Sequence, residues 1–251
     1  MKVIFILAAA EADPVTAEQL EEIIEADELE VAPLPDGRGF SVTSDGQVVE
    51  IRREQTAGEL HLPPKLVTGT EAAKQALREA RSVYRLSVNQ GGDQPSVAVF
   101  EALWCARALM SVVTGVLLDV SAFKLHEPGD VAEITELEFD IRDHVTLHAV
   151  EAAEGDVWIH SHGMDKFGAR DLEAFHLKQE DLPAVETFFH QLCTDLAFGQ
   201  GPEPGALVET GEGDGFRLQP SESARAKLLG LGLDFFEGHE GAYFTIVSAD
   251  G

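Results

Sequence analysis

Two histidines one residue apart can meet a single cation, and this chain holds such a pair in Trp158-Ile159-His160-Ser161-His162-Gly163. On a β-strand alternate side chains point the same way, so His160 and His162 would offer imidazole nitrogens to one side. Imidazole suits zinc, nickel or iron, and a tetrahedral zinc ion asks for further nitrogen, sulfur or carboxylate donors. Upstream, His144–Val150 alternates too, with Val145, Leu147 and Ala149 on one side and His144, Thr146, His148 and Val150 on the other. If the two segments form an antiparallel hairpin, aligning Val145 and Leu147 with Val157 and Ile159 on one face gathers four imidazoles on the opposite face. His160, His162, His148 and Glu173 are therefore the candidate ligands for a divalent metal such as zinc, with Asp165 and Asp171 as other nearby carboxylates. No other cofactor is expected.

The residues after the pair extend the candidate site. Gly163 lacks a Cβ and lets the chain turn sharply at the strand end. Phe167-Gly168 reads as an aromatic anchor followed by a second turn, and Asp171 stands where it would cap a short following helix. Trp158, His160, His162, Gly163, Asp165, Phe167, Gly168, Asp171 and Glu173 are expected to line one binding surface, with Trp158 as its apolar wall. A complete catalytic set is missing. There is no HExxH helix and no Gly-x-Ser-x-Gly elbow, and Gly211-Glu212-Gly213-Asp214-Gly215 lacks the lysine of a phosphate loop. Cys105 has no histidine at a telling spacing, and His126, His190 and His239 stand alone as packing or surface residues.

Two resemblances follow from these residues. His160-Ser161-His162 resembles the His-x-His strand end of the JAMM (MPN) metalloproteases, which implies a metal-dependent hydrolase. Arg170 stands where that family has its serine, Glu173 takes the place of its aspartate, and Gly163 replaces its proline. The longer run Val157-Trp158-Ile159-His160-Ser161-His162-Gly163-Met164, then Phe167-Gly168, then Leu172-Glu173, resembles a signature of uncharacterised bacterial families. Those are loosely associated with the suppressor-of-fused-like superfamily, some members of which are proposed toxin-immunity proteins. The similarity spans about residues 80 to 200 and implies a protein that acts by interaction.

The elements that must position these residues are read from periodicity. Val3–Leu7 is a buried strand, and Thr16 caps a helix carrying Leu20, Ile23 and Ile24. Gly39–Thr43 and Gln47–Arg52 are strands joined at Ser44-Asp45-Gly46, and Pro63-Pro64 closes that meander. Thr70–Ser82 is an Ala-rich helix and Tyr84–Val88 a strand. After a loop at Gly91–Pro95, Ser96–Val113 is apolar on most sides and is expected to be a central helix with Phe100, Leu103, Trp104 and Val113 covered. Val116–Val120 is a buried strand, Pro128–Leu137 a short acidic helix, Ala152–Gly155 the hairpin turn and Asp181–Phe198 the last long helix. Short strands around a helix at Ser221–Leu229 complete the chain. Mixed strands and helices without strict βαβ alternation predict an α+β fold, with mixed and antiparallel sheets packed against helices. Residues 1–251 read as a single α+β unit, and the one candidate break gives lobes 1–126 and 127–251.

Charge narrows the function classes. Across 251 residues, 18 basic against 45 acidic side chains give a net charge of −27. Such a field repels phosphate backbones and anionic lipid, so neither nucleic acid nor membrane is an expected partner, while a basic protein is. The apolar run at Met1–Ala10 reads as a first strand instead of a signal segment. The apolar stretch at Ala102–Leu118 is interrupted by Arg107. Cys105 and Cys193 sit in apolar patterns and read as buried thiols of a reducing compartment. The expectation is a non-catalytic cytoplasmic protein that binds, and in the manner of an immunity protein neutralises, a basic partner; the alternative is a metal-dependent hydrolase built on His160 and His162.

Overall fold

A computed structural model of the chain describes residues 2–24, 30–44, 47–54, 65–89, 95–135, 138–151, 155–209, 215–221 and 243–248. The expected turn residues Asp45-Gly46, Pro63-Pro64, Gly91–Gln94, Ala152–Glu154 and Gly211–Asp214 lie outside the described residues, as do residues 222–229 of the helix expected at Ser221–Leu229, whose first residue, Ser221, ends a strand. The fold is α+β, and the chain divides into two compact units, Met1–Asp140 and Ile141–Gly251. The break read from sequence near residue 127 falls at the start of a helix, Pro128–Glu133, inside the first unit.

The first unit is built on a sheet of seven described strands. These are β1 (Lys2–Ala9), β2 (Glu30–Pro33), β3 (Gly39–Ser44), β4 (Gln47–Glu54), β5 (Ser82–Asn89), β6 (Gly115–Asp119) and β7 (Lys124–His126), in the order β2-β3-β4-β5-β1-β6-β7. Every pairing is antiparallel. Strand β1 lies between β5 and β6, and helices α2 (Glu71–Glu79) and α3 (Pro95–Met110) both pack on it. Ile6 and Ala8 join Ala73, Val83, Val116, Leu118 and Leu125 in the cluster beneath α2. Alternation sends Val3, Phe5 and Leu7 to the opposite side. Burial on both faces explains why this strand is a continuous apolar run and not an alternating one.

Local signals set the helix ends. Thr16 caps α1 (Ala17–Ile23) in a reciprocal box with Gln19, and the Thr70 hydroxyl accepts from the Ala73 N–H at the start of α2. Helix α3 buries Ala98, Val99, Ala102, Leu103, Cys105, Ala106 and Leu109, while Phe100 and Trp104 are only half-buried, less covered than expected. It ends at Met110, so Ser111–Val113 form a turn instead of a last helical turn. Arg107, the charge that interrupts this apolar helix, donates to the carbonyls of Val131 and Ile134 at 2.9 and 2.7 Å. It thereby satisfies carbonyls at the end of α4 (Pro128–Glu133). None of the helices among the described residues is long and apolar enough to cross a membrane.

The second unit holds a sheet of six described strands in the order β11-β12-β13-β10-β9-β8. They are β8 (Thr146–Glu151), β9 (Val157–His162), β10 (Leu172–Leu177), β11 (Leu207–Glu209), β12 (Gly215–Ser221) and β13 (Tyr243–Ser248). Only the β10–β13 pairing is parallel. Helix α6 (Leu182–Ala197) covers one face, where its Phe188 meets the edge of Phe216 at 4.7 Å between ring centres. Register places Ile159, Ala174, Leu172, Phe244 and Leu218 on that same face, all buried. The histidines lie on the other.

Candidate functional site

The pairing of β8 with β9 sets Thr146 opposite His162, His148 opposite His160 and Val150 opposite Trp158. The histidines therefore share one face for the reason the alternation gives, because apolar positions on the α6 side leave the others no choice of side. Val157 and Ile159 are buried as expected. Val145 is buried too but precedes the strand, and Leu147 is half-buried. His144 is the exception to the expected four. It closes a short helix, α5 (Ile141–His144), before β8 begins, and its ring meets the edge of Phe167 at 5.6 Å.

Three imidazoles remain. Their ring centres are 5.6 Å apart for His148 and His160, 5.4 Å for His148 and His162, and 5.0 Å for His160 and His162. Trp158 stacks on His160 at 4.0 Å and lies parallel to Phe175 at 6.0 Å. Trp158, His160 and His162 are 4%, 1% and 5% exposed. His148, on the edge strand β8, is half-buried, and burial lowers its proton affinity.

Glu173 enters from β10, directly opposite His160 and wholly buried. Its Oε2 accepts from the Trp158 indole N–H at 3.3 Å and its Oε1 from the Thr245 hydroxyl at 2.8 Å. Sequence reasoning expected a short helix after Asp171; Leu172–Leu177 is instead a strand, and this is what brings Glu173 beside His160. Thr245 was not anticipated, since it arrives on β13 by a parallel pairing 72 residues away along the chain.

The loop from Gly163 to Asp171 is a single 3-10 turn, Met164–Phe167, between two glycines at φ 121° and 76°. Both values suit a residue without Cβ. Phe167 is buried as an anchor. Gly163 is buried, Gly168 exposed, and Asp165 and Asp171 half-buried. Asp171 caps no following helix. Its Oδ1 accepts from the Ser161 hydroxyl at 2.8 Å and the Met164 N–H at 3.2 Å, and the Ser161 oxygen in turn accepts from the Leu172 N–H at 2.8 Å. Burial, and next the charge of Asp165, push the Asp171 carboxyl up from 3.8 to about 7, against the pull of these hydrogen bonds.

Lys166, which no spacing singled out, is almost wholly buried. Its ammonium donates to the His144 carbonyl at 2.6 Å and stands 5.6 Å from the Phe167 ring centre. A lone lysine in an ordinary loop carries no signal of burial, so only the folded chain reveals it. Cys105 and Cys193 are buried thiols, their ionisation pushed well up by desolvation, which removes them as nucleophiles.

Among the described residues no group of three or more His, Cys, Asp or Glu side chains stands in a metal-holding arrangement. No family model, no characterised protein and no solved structure matches this chain.

Proposed function

We propose that this protein acts by binding a basic protein partner, in the manner of a neutralising or immunity protein, and not by catalysis. The observation that carries the reading is a long cation-free interval in the second unit. Between Lys178 and Arg217 no lysine or arginine occurs. Within it Glu180, Asp181, Glu186 and Glu203 are exposed along the 3-10 turn before α6, the outer side of α6 and the loop beyond it. The first unit is also acidic, with 11 basic against 25 acidic residues. A field of this kind steers a cationic partner, raising its encounter rate by roughly 10- to 1,000-fold at low salt.

The chemistry around the histidines supports the same reading. Both oxygens of Glu173 are engaged by neighbouring side chains, and Asp171 is tied to Ser161 and Met164, so both carboxylates serve as struts. A hydrolase would need one of them directed at a water. The test is capture from the native host at low salt, followed by elution as salt is raised until charge is screened within a few ångström. A single basic protein, released by salt and lost when Glu180 and Glu186 are both changed to Lys, is the expected result. A partner indifferent to salt and to that reversal would overturn the reading, as would hydrolytic activity by the purified protein.

A further inference from the structure

We infer that His148, His160 and His162 form a three-imidazole binding site for a divalent transition metal of the zinc class. The inference stands apart from the partner-binding reading and rests on the sheet. Zinc lies about 2 Å from a ligating imidazole nitrogen, and that nitrogen lies about 1 Å from its ring centre, so the ion stands about 3 Å from each centre. Three such rings at tetrahedral angles then have centres about 5 Å apart. The observed separations are 5.0, 5.4 and 5.6 Å. Each spacing alone is ordinary for packed rings. All three separations lie close to the spacing that one zinc ion asks of three imidazoles.

In the observed arrangement the three rings do not hold a metal ion, so binding requires the rings to turn. The centre of an imidazole lies close to its Cβ–Cγ axis, so turning the ring swings its nitrogens while the triangle persists, and that torsion is broad and soft. The triangle itself is fixed by backbone, since His148 faces His160 across one strand pair and His162 follows two residues on. Nε2 of His148 is buried and accepts or donates no hydrogen bond among the described residues, and the ring nitrogens of His160 and Nε2 of His162 are shielded from solvent. An all-nitrogen set selects zinc-like ions over magnesium or calcium, which demand oxygen. Three protein ligands leave a tetrahedral ion one further position. Half-buried His148, on edge strand β8, is the side from which an ion enters. Glu173 is not assigned as a ligand because Trp158 and Thr245 hold its oxygens.

Tag-free protein titrated with zinc against a chromophoric chelator, and separately with cobalt(II), tests the site. Expected are one equivalent of zinc, a four-coordinate cobalt spectrum, and a melting temperature that rises with zinc and falls back with chelator. His148→Ala and His162→Ala should each weaken zinc at least about tenfold while melting cooperatively without metal. Should His162→Ala fail to fold, His148→Gln decides, because it keeps the volume at the sheet edge and removes the ligand. Absence of binding at micromolar free zinc overturns the site. So does binding unchanged in the His148 variants, or binding abolished instead by His176→Ala at the exposed His176–Asp156 pair.

Discussion

His160 and Glu173 face each other directly across β9 and β10, yet the carboxylate of Glu173 is held by the Trp158 indole and the Thr245 hydroxyl. Glu173 therefore ties three strands of the second unit together. Glu173→Ala should cost on the order of 2–4 kcal/mol, since it opens a cavity and strips the buried Trp158 indole and the half-buried Thr245 hydroxyl of their acceptor. Glu173→Gln, which keeps one acceptor oxygen, should cost less. Urea unfolding monitored by Trp fluorescence would measure both, and an alanine variant within about 0.5 kcal/mol of wild type would rule out the strut.

Asp171 gives the second unit a pH dependence of defined sign. Its carboxyl is raised from 3.8 to about 7 in the folded chain, so the folded state holds the proton more tightly than the unfolded one. Stability from this group is complete below about pH 4 and is lost as pH rises through about 7. Other carboxylates and the net negative charge also respond to pH, so the readout is the difference between wild type and Asp171→Asn, which keeps an acceptor oxygen and removes the titration. Between about pH 5 and pH 8 wild type should lose more stability than the variant. Parallel curves would show that Asp171 does not titrate in this range.

In the first unit, Leu103 lies within α3 and is buried, whereas Val112 just beyond the helix is exposed. Leu103→Ala should cost about 2–5 kcal/mol, and Val112→Ala less than about 0.5 kcal/mol. Equal losses from the two would show that α3 is not the core helix.

Gly115 opens β6 opposite Ala9, and a Cβ there would stand 2.3 Å from the Ala8 carbonyl oxygen. That neighbour is backbone of the central strand, which has little room to move. Gly115→Ala should destabilise by about 1–3 kcal/mol, and Gly129→Ala, where the added atom meets nothing within 4 Å, is the control. A Gly115→Ala melt matching that of the control would mean that β1 and β6 part more easily than their pairing indicates.

Much of this was legible in the residues themselves, because it depends on neighbours close in sequence. The two-residue period of β8 and β9 determined that His148, His160 and His162 share a face, and Thr16 and Thr70 marked helix starts through caps that reach only three residues. The apolar run of α3 announced a core helix. What only the tertiary structure decided depends on partners far along the chain. Leu172–Leu177 became a strand because β9 and β13 lie on either side of it, although its local signal after Asp171 suited a helix. His144 left the histidine face because the chain there closes one helical turn before β8 begins. Lys166 is buried, and Glu173 accepts from Trp158 and Thr245, through contacts that no local period encodes. Alternation determines the side of a strand a residue occupies; only the packed chain determines which donor or charge meets it there.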